Sequence, residues 1–108
     1  MRGMRHGKMH NFGEIVLASV QFTDTFEIKK RPALVLFEEQ GNIVVAGITS
    51  NLKMKGIPLH KKEGAILESI IKLNYLFTIS DKMVERVLFS VSKGKREAIK
   101  KELFSKFD

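Results

Sequence analysis

Apolar residues come in short bursts along this chain, separated by polar stretches and turn formers. Residues 14–20 are mostly apolar over strand length and predict a buried strand. Residues 21–30 are polar, with Thr23, Asp24 and Thr25 as turn formers, and predict a long loop. Residues 33–37 predict a second strand, with Pro32 at its start, where proline is tolerated. Gly41-Asn42 predicts a tight turn into a strand over 43–48, so these two strands form a hairpin. Residues 56–60 predict a short strand, and the long apolar stretch 66–79 a strand with a bend. Asp81 is placed to cap a short helical turn through about Arg86.

The C-terminal stretch has a different period. Ser92 is positioned as an N-cap for a helix over 93–107, in which Ile99, Leu103 and Phe107 recur on one face and Phe104 widens the stripe. Lys95, Lys100 and Lys106 are assigned to the other face. Lys93, Lys95 and Arg96 oppose the helix dipole, so local stability does not explain them. Several short strands followed by one packed helix predict a mainly β fold with a C-terminal helix. A small closed antiparallel barrel of the SH3-like type suits this order, because closure removes exposed edges.

Composition narrows the class. With 108 residues the chain fits one domain and a single core. Hydrophobic residues at 44% and only two prolines argue against disorder along the chain. No apolar run approaches the roughly 20 residues needed to span a bilayer. The basic N-terminus is followed by no apolar h-region, so no secretory signal is expected and a cytoplasmic location is the simplest expectation. Without cysteine there is no disulfide framework and no thiolate metal site. Residues 1–12 carry Arg2, Arg5, His6, Lys8 and His10 and no acid, and predict a flexible basic leader before a single domain over 13–108. His6 and His10 are expected in a solvated tail rather than on a metal.

The net charge of +7 points toward a polyanionic partner, since neutralising phosphates releases counterions. A solvated lysine surface accounts for the same charge equally well.

Four segments in order carry a family resemblance. They are Gly13-Glu14-Ile15-Val16-Leu17 with Phe22-Thr23-Asp24; Lys30-Arg31-Pro32-Ala33-Leu34-Val35-Leu36; Ile43 through Thr49-Ser50; and Ser69-Ile70-Ile71 with Leu76-Phe77-Thr78-Ile79. From about Gly13 onward the chain resembles the MazF/PemK-like (Kid-like) toxins of type II toxin–antitoxin systems. The resemblance implies an SH3-like barrel of the plasmid-maintenance toxin type, a two-fold homodimer and an acidic antitoxin partner. It also implies metal-independent cleavage of single-stranded RNA, with no cofactor.

Such cleavage uses the substrate's own 2′-OH as nucleophile. It needs a base, an acid and donors around the phosphorane. Arg31 is the first candidate: arginine's planar fork bonds two phosphate oxygens at once, and the family places a phosphate-contacting arginine here. The resemblance also assigns a catalytic threonine to Thr49. Lys30, Ser50, Lys72 and Asn74 are candidate RNA contacts, and Phe26, in the polar loop, a candidate for stacking on unpaired bases. Phe22 fits burial at least as well as stacking.

The proton-moving groups are where the chain departs from the family. Members carry an arginine and an aspartate two residues apart where this sequence has Lys72 and Asn74, and others an arginine where it has Phe77. Glu14, Asp24 and His60 are left as sources of a base, His60 by its residue type alone. Two alternatives stand beside the RNase: a binding module of the same fold, weak or inactive in catalysis, and a gyrase-poisoning toxin.

Overall fold

The computed structural model describes residues 9–21 and 28–108. The chain runs β1 (Glu14–Gln21), β2 (Ile28–Glu39), β3 (Asn42–Thr49), β4 (Ile57–Leu59), β5 (Ser69–Ser80), β6 (Val84–Ser90) and α1 (Lys93–Ser105). The strands form one sheet in the order β4-β5-β3-β2-β1-β6, every neighbouring pair antiparallel. No described helix is long and apolar enough to cross a membrane.

Alternation along the strands gives the curled sheet a core on each face. On one face Ile15, Leu34, Ala46, Ile48, Ile71 and Leu73 pack against Leu59 and against Ile99 of α1. On the other, Val16, Ala18, Val20, Ala33, Val35, Ile43 and Val45 pack with Ile79, Phe77 and Val84. Strand β5 serves both cores because it bends. Its register against β3 jumps from Ala46↔Leu76 to Gly47↔Lys72, so Leu73, Asn74 and Tyr75 bulge out of the ladder. This is the bend expected within 66–79. A bulge of this kind re-aims the side chains it carries.

Strand β2 is longer than expected. It starts at Ile28, so Lys30, Arg31 and Pro32 lie inside a strand and not in a loop or at a strand start. Pro32 lies just beyond the end of the β2–β3 ladder, whose last pair is Ala33↔Gly47, so it is unpaired on the β3 side. The hairpin turn is Gln40-Gly41, one residue earlier than expected, and both residues have positive φ (52° and 82°), as a type I′ turn requires.

The helical turn after Asp81 is shorter than expected. Only Asp81–Met83 forms a 3₁₀ turn, and Ser80 caps it by accepting from the Lys82 N–H at 3.1 Å. The chain then enters β6, which the hydrophobic pattern did not announce. Two register irregularities against β1 interrupt its alternation, so no two-residue period is visible.

The sheet is a half-barrel rather than a closed barrel: among the described residues β4 and β6 stand at opposite edges and do not pair. Packing draws the ends together instead. A Cβ at Gly64 would sit 2.7 Å from Cγ of Phe89, so glycine lets the connection after β4 lie directly on β6. Gly56 acts similarly before β4, where a Cβ would fall 2.3 Å from the Ile71 carbonyl oxygen.

Helix α1 begins as expected, with Ser92 accepting from the Lys95 N–H at 3.1 Å. Replacing Ser92 by alanine is expected to lower stability by about 1 kcal/mol, read as an earlier urea midpoint; an unmoved midpoint would mean the cap contributes nothing. The cations that oppose the dipole have tertiary partners. Lys95 Nζ donates to the Pro58 carbonyl at 2.6 Å and lies 3.3 Å from Glu63, and an Arg96 Nη donates to the Val91 carbonyl at 3.0 Å. Lys95 therefore ties the helix to β4 and is not on a free polar face. The expected apolar stripe is buried only at Ile99 and, in part, Leu103. Phe104 and Phe107 are 64% and 78% exposed.

Residues 10–12 are attached to the domain rather than forming the end of a free leader. The His10 N–H donates to Glu38 at 2.7 Å and the ring lies 2.9 Å from Glu14, while Phe12 packs on the first core beneath Lys100.

Candidate RNA-binding groove

The antiparallel register brings distant residues into one place. Ala33 of β2, Gly47 of β3 and Lys72 of β5 are paired in one row across the sheet. Two residues along, on the same face, come Arg31 and Thr49. Continuing the β2–β3 register sets these two opposite each other at the end where the ladder opens. Beside them the β5 bulge turns Asn74 and Tyr75 outward. Arg31, Thr49, Lys72, Asn74 and Tyr75 together line a groove of ≈ 790 Å³ whose apolar walls include Val20, Met54 and Met83.

Each polar group has a defined setting. Arg31 is half-buried, with Nε shielded from solvent. Thr49 Oγ1 accepts from the Asn51 N–H at 3.1 Å, which leaves its own O–H to donate. Lys72 is only 7% exposed. Its Nζ donates to the Lys55 carbonyl at 2.7 Å and lies 5.3 Å from the Tyr75 ring centroid, close enough for a cation–π contact. No carboxylate accompanies it among the described groove residues. Gly47 lies in the groove floor, where a Cβ would make ordinary contact with Tyr75 Cβ at 3.5 Å.

Four candidates from the sequence are thus brought together: Arg31, Thr49, Lys72 and Asn74. Others are not. Lys30 points to the opposite face from Arg31 and forms an ion pair with Glu85, whose carboxyl it holds below the usual range by hydrogen bonding. Ser50 is exposed beyond the end of β3 and does not line the groove. Phe22, Asp24 and Phe26 lie outside the described residues.

The proposed bases at Glu14 and His60 are also elsewhere. Glu14 is engaged by His10. The His60 ring lies 2.8 Å from Glu68, and the backbone N–H of Lys61, followed by the His60 contact, holds the Glu68 carboxyl below its ordinary range. Among the described residues no group of three or more His, Asp or Glu is placed to hold a metal ion.

Sequence reasoning missed Tyr75, Gly47, Met54 and Met83. Tyr75, the one tyrosine of the chain, is half exposed only because of the bulge. The sole signal was Asn74-Tyr75 interrupting an apolar stretch.

A curled six-stranded antiparallel sheet with one C-terminal helix is the MazF-like fold. The chain belongs to the family described as PemK-like, MazF-like toxins of type II toxin–antitoxin systems, whose model matches residues 11–106. Among solved structures, the Mycobacterium tuberculosis toxin MazF-mt6 superposes with a TM-score of 0.71 at 23% identity, over 88% of this chain and 96% of that one. A MazE–MazF crystal structure from Deinococcus radiodurans gives a TM-score of 0.74 at 17% identity, over 94% and 97% of the two chains. No match was found among curated proteins.

Proposed function

We propose that this toxin cleaves single-stranded RNA without a metal ion, by attack of the 2′-OH on the adjacent phosphorus. The observation that carries the reading is the convergence of Arg31, Thr49 and Lys72 on one groove beside an exposed aromatic ring. The O2′–P bond forms as the P–O5′ bond breaks; solvent water takes the 2′-OH proton and supplies one to the leaving 5′-oxygen, leaving a 2′,3′-cyclic phosphate and a 5′-OH. Arg31 binds two non-bridging oxygens, Lys72 adds a second positive charge and the Thr49 hydroxyl donates a hydrogen bond as charge builds on the phosphorane. Tyr75 offers a stacking surface to an unpaired base, a contact indifferent to base identity. No cofactor enters this scheme.

One feature favours a second reading, a module that binds RNA but cuts it slowly or not at all. The described groove residues include no carboxylate or imidazole to move the 2′-OH and 5′-oxygen protons. Incubating excess protein with single-stranded RNA in a chelator separates the two. Cleavage supports the nuclease; salt-dependent binding with intact RNA supports the module. The family and the net charge of +7 also support an acidic antitoxin as partner, a two-fold homodimer and action in the cytoplasm. The MazE–MazF structure from Deinococcus radiodurans supports an antitoxin partner.

A further inference from the structure

Lys72 and Asn74 line a second cleft as well as the groove. This cleft, of ≈ 650 Å³, lies between the β5 bulge, β4 and the C-terminal end of α1, with Lys55, Pro58, Glu102 and Lys106 among its other lining residues. The two spaces therefore share Lys72 and Asn74 as lining residues. The charge of the second cleft favours a polyanion: Lys55, Lys72 and Lys106 face a single carboxylate, Glu102, which lies 3.7 Å from Lys106.

The cleft is built rather than incidental. Lys72 is more than nine-tenths buried, and its Nζ donates to the carbonyl of Lys55, another lining residue of this cleft, at 2.7 Å. Gly56 lets the chain entering β4 lie against the Ile71 carbonyl, which sets the wall position. Lys95, in the first turn of α1, ties the helix to β4 through the Pro58 carbonyl.

We infer that this cleft is a second phosphate subsite, holding the backbone of the RNA strand next to the phosphate bound in the groove. The inference rests on the RNA reading above. Lys106 and Lys55 supply charge to a non-scissile phosphate, Lys72 links the two sites, and Glu102 limits the attraction. The subsite contributes binding energy remote from the reacting bond.

The test is binding of the full-length chain to a fluorescein-labelled, mixed-sequence 2′-O-methyl oligoribonucleotide, which lacks the nucleophile and stays intact. Kd is measured by anisotropy over a range of salt. Lys106→Ala and Lys55→Ala are each expected to weaken binding several-fold and to reduce the slope of log K against log salt by about 0.7, the value for one phosphate contact on a single strand. Glu102→Gln is expected to tighten binding by about two- to fivefold, the range of an exposed charge–charge interaction. Lys101→Ala removes one charge from an exposed part of α1 and is expected to leave the slope unchanged. Equal slopes for the Lys101, Lys106 and Lys55 variants, with wild-type binding intact, would overturn the subsite and leave the RNA reading standing. Failure of the wild type to bind at low salt would overturn both.

Discussion

Replacing Arg31 with alanine is expected to lower the RNA cleavage rate by about 10²–10³-fold, the usual cost of removing one preorganised donor to a developing oxyanion. Arg31 is held for this role by a strand on one side and an open ladder end on the other. β1 pairs with it through Ala18, while on the β3 side pairing stops at Ala33↔Gly47, so the guanidinium is presented to the groove at the edge of a rigid sheet. Arg31→Lys is expected to fall between wild type and alanine, because charge remains but the bidentate fork is lost. Far-ultraviolet circular dichroism must accompany the assay, since the half-buried arginine stem also packs. A folded Arg31→Ala protein that cuts RNA at the wild-type rate would remove this residue from the mechanism.

Lys72→Met is expected to separate activity from stability. Methionine has nearly the same length and no charge, so it fills the same space. A buried amino group whose neighbours are one carbonyl and one aromatic face carries a desolvation cost that an apolar replacement removes. The urea midpoint should therefore stay level or rise. Cleavage should fall by at least about tenfold, equal to about 1.4 kcal/mol of lost transition-state stabilisation. Unchanged cleavage together with a lowered midpoint would show instead that Lys72 serves the fold. The expected combination is the one that marks a charge kept for function at some cost to the fold.

The comparison of sequence with structure has a physical pattern. Elements with one continuous period were readable: β1, the β2–β3 hairpin and α1 with its Ser92 cap all appear near the expected places. Elements defined by irregular pairing were not. β6 was hidden because its register against β1 shifts twice, and β5 revealed a bend but not which residues it expelled. The same division holds in the groove. Arg31 and Thr49 were readable because they lie at strand positions that resemble the family, and Lys72 and Asn74 because the resemblance aligns them with positions where members carry an arginine and an aspartate. Tyr75 and Gly47 depend on cross-strand register, a relation between segments that no single segment displays. Lys30 was misplaced for a related reason. Taken as part of a loop it was free to join Arg31, but inside β2 it must point to the other face.

The claim that most needs testing is that this groove cleaves RNA through the substrate's own 2′-OH. Single-stranded RNA digested in a chelator, with product ends identified by mass spectrometry, tests it most directly. The account predicts fragments ending in 2′,3′-cyclic phosphate or its hydrolysed 3′-phosphate, paired with 5′-OH ends, and no such fragments from Arg31→Ala. Fragments carrying 5′-phosphate and 3′-OH ends, or RNA left intact by an excess of folded protein, would contradict it.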